Sequence, residues 1–267
     1  IAARYMISET PGEGINLAVG GQLPVLTSPV FGIWLGIVVS VFIMPVAYIY
    51  LRAGPTRKQP WQVVETTAAS RVSIAIGRFG ANSLTMIGIL VVLIIAGLFL
   101  AWIKVTGPWQ PGVIIALAAI VALPTLLATA AIHLLFDAVP ALRGALGDFA
   151  FYVLWIAALI IPSISSEAPS TYANNLASLS GAIRPLVDSA PPGSTSFAIG
   201  SPTLSPGQIE LDPWRGIMAE GYIAARASWM ALALGIAMLA GMLYRPHKPK
   251  DRRDRLAFVR QISLSRL

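Results

Sequence analysis

The chain of 267 residues contains no cysteine and few charged residues. Without cysteine it can form no disulfide framework, no thiol nucleophile and no thiolate metal site. Charged residues make up 12% of the sequence, against the roughly 25% that is usual in a soluble domain, while hydrophobic residues make up 56%. This combination excludes an ordinary water-soluble globule and a disordered chain. It leaves a polytopic membrane protein.

Common catalytic and nucleotide-binding patterns are also missing from the sequence. It contains no Gly-x-x-x-x-Gly-Lys-Ser/Thr phosphate loop and no Gly-x-Ser-x-Gly elbow. Of the two histidines, His247 lies in the basic tail, and His133 lies in a predicted span with a carboxylate at helical spacing, Asp137. One such pair cannot complete a zinc site. We interpret it as a polar pair at the membrane border, with a proton relay as the alternative because ionisable groups in membrane segments are often functional.

Five stretches are long and apolar enough to cross a bilayer, which takes about 20 residues in a helix. We predict an all-α membrane helical bundle. Asp212 followed by Pro213 predicts an N-cap and the first helical position, so the last helix is expected to run from there to Tyr244. The interiors of the spans hold almost no charge, which suits an apolar or amphipathic cargo better than an ion. The predicted spans are residues 29–51, 84–103, 112–136, 149–164 and 228–244.

The positions of lysine and arginine predict the orientation of these spans. Segments 52–83 and 137–148 and the tail 245–267 lie on one side, and together they hold 14 of the 19 basic residues. We therefore place that side in the cytoplasm. Residue 1 would then lie outside, so we expect at least one further span upstream and six spans in the full membrane domain.

This topology divides the chain into three regions. Residues 1–28 are predicted to be an external segment that follows the missing span. Residues 29–244 form the transmembrane domain, including an external loop at 165–212 with a short helix near 170–183. Residues 245–267 form a basic cytoplasmic tail, which is expected to contact anionic lipid. Nucleic-acid binding is not expected, because the basic run is short and tethered to the membrane.

Between the first two spans, residues 60–83 have the pattern of an amphipathic helix. Apolar residues recur every three or four positions on one face, and polar residues lie beside them. Such a helix would lie at the cytoplasmic interface of the membrane. It could float on the bilayer or dock a cytoplasmic partner. The apolar face is Val64, Ala68, Val72, Ile76 and Phe79, and the polar neighbours include Glu65, Ser70, Arg71 and Arg78.

Gly32 and Gly36 place two small residues four positions apart on the first span. This spacing lets helix backbones approach closely. The contact could form within the chain or across a dimer.

The cytoplasmic segments resemble those of the membrane subunits of ABC-2 type transporters. The resemblance rests on Ala69-Ser70-Arg71 and Gly77-Arg78 before the second span, on FDAVPALRGALGDFAFYVLW at 136–155, and on a last span followed at once by a basic tail. It covers roughly residues 30–267. The sequence departs from the family pattern at Ala69, where a proline is common.

The resemblance implies that this chain forms the translocation path and is not itself an enzyme or a cofactor-binding protein. A separate ATP-binding cassette ATPase subunit would bind ATP and magnesium, and a second membrane subunit would complete a homodimer or heterodimer. Such a complex would move an amphipathic or polymeric cargo across the plasma membrane, here a bacterial inner membrane. The implied contacts with the ATPase are Glu65, Ser70, Arg71, Gly77, Arg78 and Arg143.

Two other functions stay open at this point. An integral-membrane enzyme would need a cluster of histidine and carboxylate residues near one face of the membrane, and the sequence offers none. A structural or assembly subunit of a larger membrane complex would need no such cluster. An ATPase that copurifies with the chain would separate the transport function from both.

Overall fold

The protein is an all-α helical bundle, as predicted, in a computed structural model that describes residues 16–53, 69–164, 168–191, 197–200, 205 and 207–244. Five of its helices, α1 to α4 and α8, are long and apolar enough to cross a membrane. A 3₁₀ turn, Pro140–Leu142, joins α3 to α4. The helices are α1 (Ser28–Ala53), α2 (Arg71–Lys104), α3 (Pro111–Ala138), α4 (Ala145–Ile164), α5 (Tyr172–Ala177), α6 (Arg184–Val187), α7 (Pro213–Ile217) and α8 (Tyr222–Leu243).

We name the two ends of the bundle after the predicted orientation. At the inner end α1, α3 and α8 finish and α2 and α4 begin. At the outer end four short strands form two small sheets. Strand β1 (Asn16–Val19) pairs antiparallel with β3 (Phe197–Gly200). Strand β2 (Leu23–Pro24) pairs parallel with β4 (Gln208–Ile209), with Leu23 opposite Gln208. The two predicted external segments are therefore joined to each other by backbone pairing.

Helix α3 is the centre of the bundle and packs against α1, α2 and α8. Its apolar residues are buried on several faces, so it lacks the single polar stripe of a surface helix. Leu117 and Val121 join one core cluster with Ile33 and Ile37 of α1. Ala118, on another face of α3, joins a second cluster that reaches α2. The core of the bundle is thus built around α3.

Helix α1 contains a π-helical turn at Val39–Ile43. The cause lies in Pro45, which has no N–H to donate to the carbonyl of Val41 four residues earlier. That carbonyl accepts instead from Trp155 Nε1 of α4, at 2.8 Å. The turn thereby ties α1 to α4 at mid-bundle, where an unpaired carbonyl in hydrocarbon would be costly.

Helix α2 differs from the prediction, which had an interfacial helix ending at residue 83 and a span beginning at residue 84. The structure has one continuous helix over its 34 residues. At 1.5 Å per residue it is about 51 Å long, well beyond the roughly 30 Å of a hydrocarbon core. The inner start of α2 is level with the inner end of α8, where Val72 and Ala75 lie against Gly241. Residues 60–68 of the predicted helix lie outside the described residues.

The predicted last helix is also interrupted. Asp212 does cap a helix start, since its side chain accepts from the Arg215 backbone N–H at 3.3 Å. That helix, α7, ends at Ile217, and the chain then turns at Gly221, whose φ of +74° favours glycine. Helix α8 starts only at Tyr222.

The largest difference concerns the predicted external loop 165–212. Residues 178–190 do not lie outside the bundle but enter it, and we call them the inserted segment. Its Ala182 and Leu186 belong to the same core cluster as Leu117 and Val121 of α3. Its first residues reach Thr125, about 21 Å from the outer end of α3 and so near the middle of that helix. The segment fills the space above α8, which begins deeper in the bundle than α3 does.

Candidate coupling site at the inner end

Charged side chains join the inner ends of the spans. Residues at the inner ends of all five long helices, or directly next to those ends, take part in one cluster. We call these residues the inner cluster: Arg52, Arg71, Arg78, His133, Asp137, Arg143, Asp148 and Tyr244.

Arg52, at the end of α1, ties that helix to the connection between α3 and α4. Its side chain is 9% exposed and forms an ion pair with Asp148. A second carboxylate, Asp137, lies 4.0 Å from Nη1. Nη2 donates to the carbonyls of Arg143 at 2.9 Å and Gly144 at 2.7 Å. The guanidinium therefore fixes the position of the turn that precedes α4.

Arg143 closes the end of α3. Its Nε donates to the carbonyl of Asp137 at 2.6 Å, and its Nη2 donates to that of Ala138 at 3.4 Å. The last carbonyls of a helix have no partner within the helix, and a cation is favourable at that end. The guanidinium also lies 5.5 Å from the ring centroid of Tyr244, which follows α8. The predicted partner contact Arg143 thus makes internal contacts that hold α3 to the end of α8.

Ser70 and Arg71 begin α2. Ser70 is the N-cap, and its hydroxyl accepts from the Ser73 backbone N–H at 3.1 Å. Arg71 donates from Nη1 to the carbonyl of Tyr244 at 3.4 Å. Nearby, α2 and α8 approach closely, since a methyl group added at Gly241 would lie 2.8 Å from Val72 Cα. The inner start of α2 is therefore packed against the inner end of α8.

The other predicted coupling residues lie along the same part of α2. Gly77 is exposed and has open space where a side chain would be. Arg78 is partly buried and within electrostatic reach of Asp137 and Tyr244. Glu65 lies outside the described residues. Ser70, Arg71 and Gly77 are exposed to solvent or a partner, whereas Arg78 faces the bundle.

His133 and Asp137 form the polar pair expected from their spacing. Nε2 lies 3.7 Å from Asp137 Oδ2, and the histidine is buried at 2% exposure. The imidazole packs edge-on against the Tyr48 ring, 5.8 Å between centroids. No group of three metal-ligating side chains occurs in the described part of the chain. The pair lies beside Arg52 and so belongs to the inner cluster.

Gly32 and Gly36 face α3 of the same chain. A methyl group at Gly32 would lie 3.0 Å from Ile114 Cα, and one at Gly36 would lie 2.8 Å from Val121 Cβ. This face of α1 is occupied within the chain, so a second copy cannot pack on it.

Several residues of these sites were not singled out from the sequence. From the sequence, Arg52 counts only as a basic residue that indicates orientation, and Asp148 only as a charge at the end of a span. An arginine at the end of one span and an acid in the first turn of another are nevertheless a usable signal for an ion pair. Arg226 had been counted with the outer loops, but it is buried inside the bundle at 3% exposure. Thr125, which it meets across the inserted segment, carried no signal beyond being a polar residue in a long apolar run.

Searches of protein-family models, curated proteins and solved structures found nothing that matches this chain. The fold and the inner cluster therefore have to be interpreted from their own geometry.

Proposed function

We propose that this chain is the membrane-spanning subunit of an ABC-2 type transporter in the plasma membrane of a bacterium. ATP is hydrolysed by a separate ATPase subunit, and a second membrane subunit, identical or related, completes the path. The cargo is amphipathic or polymeric. The proposal rests on the resemblance of the cytoplasmic segments and on one structural observation, the exposed inner start of α2 that is packed on α8.

That start is exposed on one face and packed on α8 by the other. Its first turns carry exposed Ser70, Arg71 and Gly77, while Val72 and Ala75 pack on Gly241 of α8. A partner that moved this end of α2 would also move α8. Packed helices change between discrete arrangements rather than deforming continuously.

The inner cluster supplies the connection to the remaining spans. Arg143 and Tyr244 contact each other between α3 and α8, and Arg52 joins α1 to α4 through Asp148. A displacement of α2 can therefore reach every span without crossing the apolar core.

The test compares two charge reversals on the same helix. Arg71→Glu changes the exposed inner start of α2, and Lys104→Glu changes its outer end. A negative charge is favourable at a helix N-terminus and unfavourable at a C-terminus. The control variant, Lys104→Glu, is therefore the more destabilising of the two. We expect Arg71→Glu to lower the amount of ATPase subunit that copurifies by about tenfold, equivalent to about 1.4 kcal/mol of binding. Lys104→Glu should retain it.

Two results would contradict the proposal. One is a parent chain, purified gently from its own membrane, that carries no ATPase subunit with a phosphate loop. The other is a purified chain that hydrolyses ATP or carries out membrane chemistry by itself, which would favour the enzyme function.

A further inference from the structure

The inserted segment has an unusual pattern of backbone hydrogen bonds. Non-helical backbone inside a membrane protein needs partners for its carbonyls, because the bilayer offers no water. Here side chains of distant helices supply them. Thr125 of α3 donates to the carbonyls of Leu179 at 3.1 Å and Ser180 at 3.2 Å. Tyr222 of α8 donates to that of Gly181 at 2.9 Å.

Arg226 of α8 provides the remaining donors. Its guanidinium donates to the carbonyl of Leu179 at 3.1 Å, to that of Ser178, and to that of Asn175 at 3.5 Å. It lies directly against Gly181, where an added methyl group would collide with it. Every acceptor of this buried arginine is thus a backbone carbonyl at or next to the start of the inserted segment.

No carboxylate pairs with Arg226 within the described residues, and its Nε has no acceptor there. A buried arginine is ordinarily compensated by a carboxylate, since desolvating the charge is costly. Carbonyl dipoles compensate it less completely. Apart from the Tyr222 ring, 5.7 Å from it on the same helix, the guanidinium is held by the inserted segment, and the segment in turn accepts its hydrogen bonds.

The inserted segment borders a pocket on its other side. This pocket of about 320 Å³ lies between the segment, α1 and α4, and is open to the outside of the bundle. The lining includes Phe42 of the π-helical turn, Leu159 of α4, and Ala182 and Ile183 of the segment itself. On this side the segment therefore meets open space, and no packed helix stands against it there.

We propose that residues 178–183 close the outer half of the bundle and that Arg226 is the latch that holds this closure. Withdrawal of the segment would uncover Thr125, Tyr222 and Arg226, which together would line a polar opening from the outer end to the middle of α3. The closure requires no ATPase partner, so this inference stands independently of the proposed transport function.

The absence of cysteine from the chain makes the closure measurable. In an Ala182→Cys variant the new thiol occupies a site that is 2% exposed and lies inside the closed segment. Its rate of reaction with a membrane-impermeant maleimide, added from the outer side, reports opening. We expect Arg226→Met in this background to raise the rate at least tenfold.

Thr85→Val is the matched control. Thr85 is also a threonine of a long helix that donates to a backbone carbonyl, but its acceptor is Ala81 within its own helix, α2. It should leave the labelling rate within about twofold of the parent. Thr125→Val, which keeps the side-chain shape and removes two donations to the segment, should raise the rate severalfold and carries the test if Arg226→Met does not fold.

Equal labelling of the parent, Arg226→Met and Thr125→Val would overturn the proposal, because the segment would then be held by other contacts. A comparable increase in Thr85→Val would overturn it as well, because it would indicate general loosening of the bundle. Slow labelling of the parent, with faster labelling only in Arg226→Met and Thr125→Val, is the result that supports the latch.

Discussion

Replacing Gly36 with alanine tests the close packing of α1 on α3. The added methyl group would lie 2.8 Å from Val121 Cβ and 3.1 Å from the Ala118 carbonyl oxygen. Neither atom can move away without a shift of α3 itself. The matched control is Gly88→Ala in α2, where nothing lies within 4 Å of the new methyl group.

The magnitude follows from two opposing effects. Overpacking a filled core costs about 1–3 kcal/mol. Alanine in place of glycine within a helix gains about 0.5–1 kcal/mol. We therefore expect Gly36→Ala to lower the free energy of unfolding by about 1 kcal/mol, near the middle of the range of about 0–2.5 kcal/mol that the two effects allow. Gly88→Ala should raise it by about 0.5–1 kcal/mol.

Unfolding by a denaturing detergent in mixed micelles, followed by tryptophan fluorescence, measures both variants. Trp34 is a suitable reporter, because it is 4% exposed and lies in the same core cluster as Leu117 and Val121. Equal shifts in the two variants, or stabilisation by Gly36→Ala, would refute close packing between α1 and α3. A change in oligomeric state with unchanged stability would assign the glycine face to a dimer contact instead.

Three further changes have directions that the structure determines. Arg52→Met should lower the free energy of unfolding by about 3 kcal/mol, because it removes two hydrogen bonds from a charged donor and leaves Asp137 and Asp148 without this cation. A loss of under about 0.5 kcal/mol would contradict the ion pair as a link between α1 and α4. Trp155→Phe should cost about 0.5–1.5 kcal/mol in the same unfolding assay, since the Val41 carbonyl loses its donor, and no loss would mean that another group satisfies it. Burial raises the pKa of the Asp188 carboxyl above its ordinary value, an effect that nearby Arg184 only partly offsets. A carboxyl whose pKa is raised on folding stabilises the fold only below its unfolded value, and that stability is lost as the pH rises through the folded value. The Asp188→Asn variant should therefore have a higher melting temperature than the parent at pH 7 and the same melting temperature near pH 3. A lower melting temperature than the parent at pH 7 would contradict a raised pKa of Asp188.

Hydropathy predicted the spans well because it depends on local composition. Helix α1 was expected at 29–51 and is found at Ser28–Ala53, and α3 was expected at 112–136 and is found at Pro111–Ala138. The length of α2 was underestimated for an identifiable reason. Asn82 and Ser83 look like the end of a surface helix, but both are buried in the bundle, at 5% and 7% exposure. Sequence alone cannot tell a buried polar residue from a solvated one.

The inserted segment could not have been predicted from composition. The predicted loop 165–212 that contains it is rich in serine, proline, alanine and glycine, which is typical of an external loop. Its position depends on donors that are remote in sequence, such as Thr125 and Arg226, which supply the hydrogen bonds that a helix would have made internally. The candidate coupling residues show the same limit. Their types suggested the inner side, but the internal role of Arg143 follows from the position of the last carbonyls of α3.

A photo-crosslinking amino acid at Gly77 tests the central claim most directly. The position is exposed and has open space around it, so the side chain can be introduced without displacing another group. Gly112, at the outer start of α3, also has open space and serves as the control. In native membranes we expect Gly77 to capture a protein that contains a Gly-x-x-x-x-Gly-Lys-Ser/Thr phosphate loop and hydrolyses ATP, and Gly112 to capture no such protein. Capture of only lipid or a second copy at Gly77, together with ATP hydrolysis by the purified chain alone, would contradict the account.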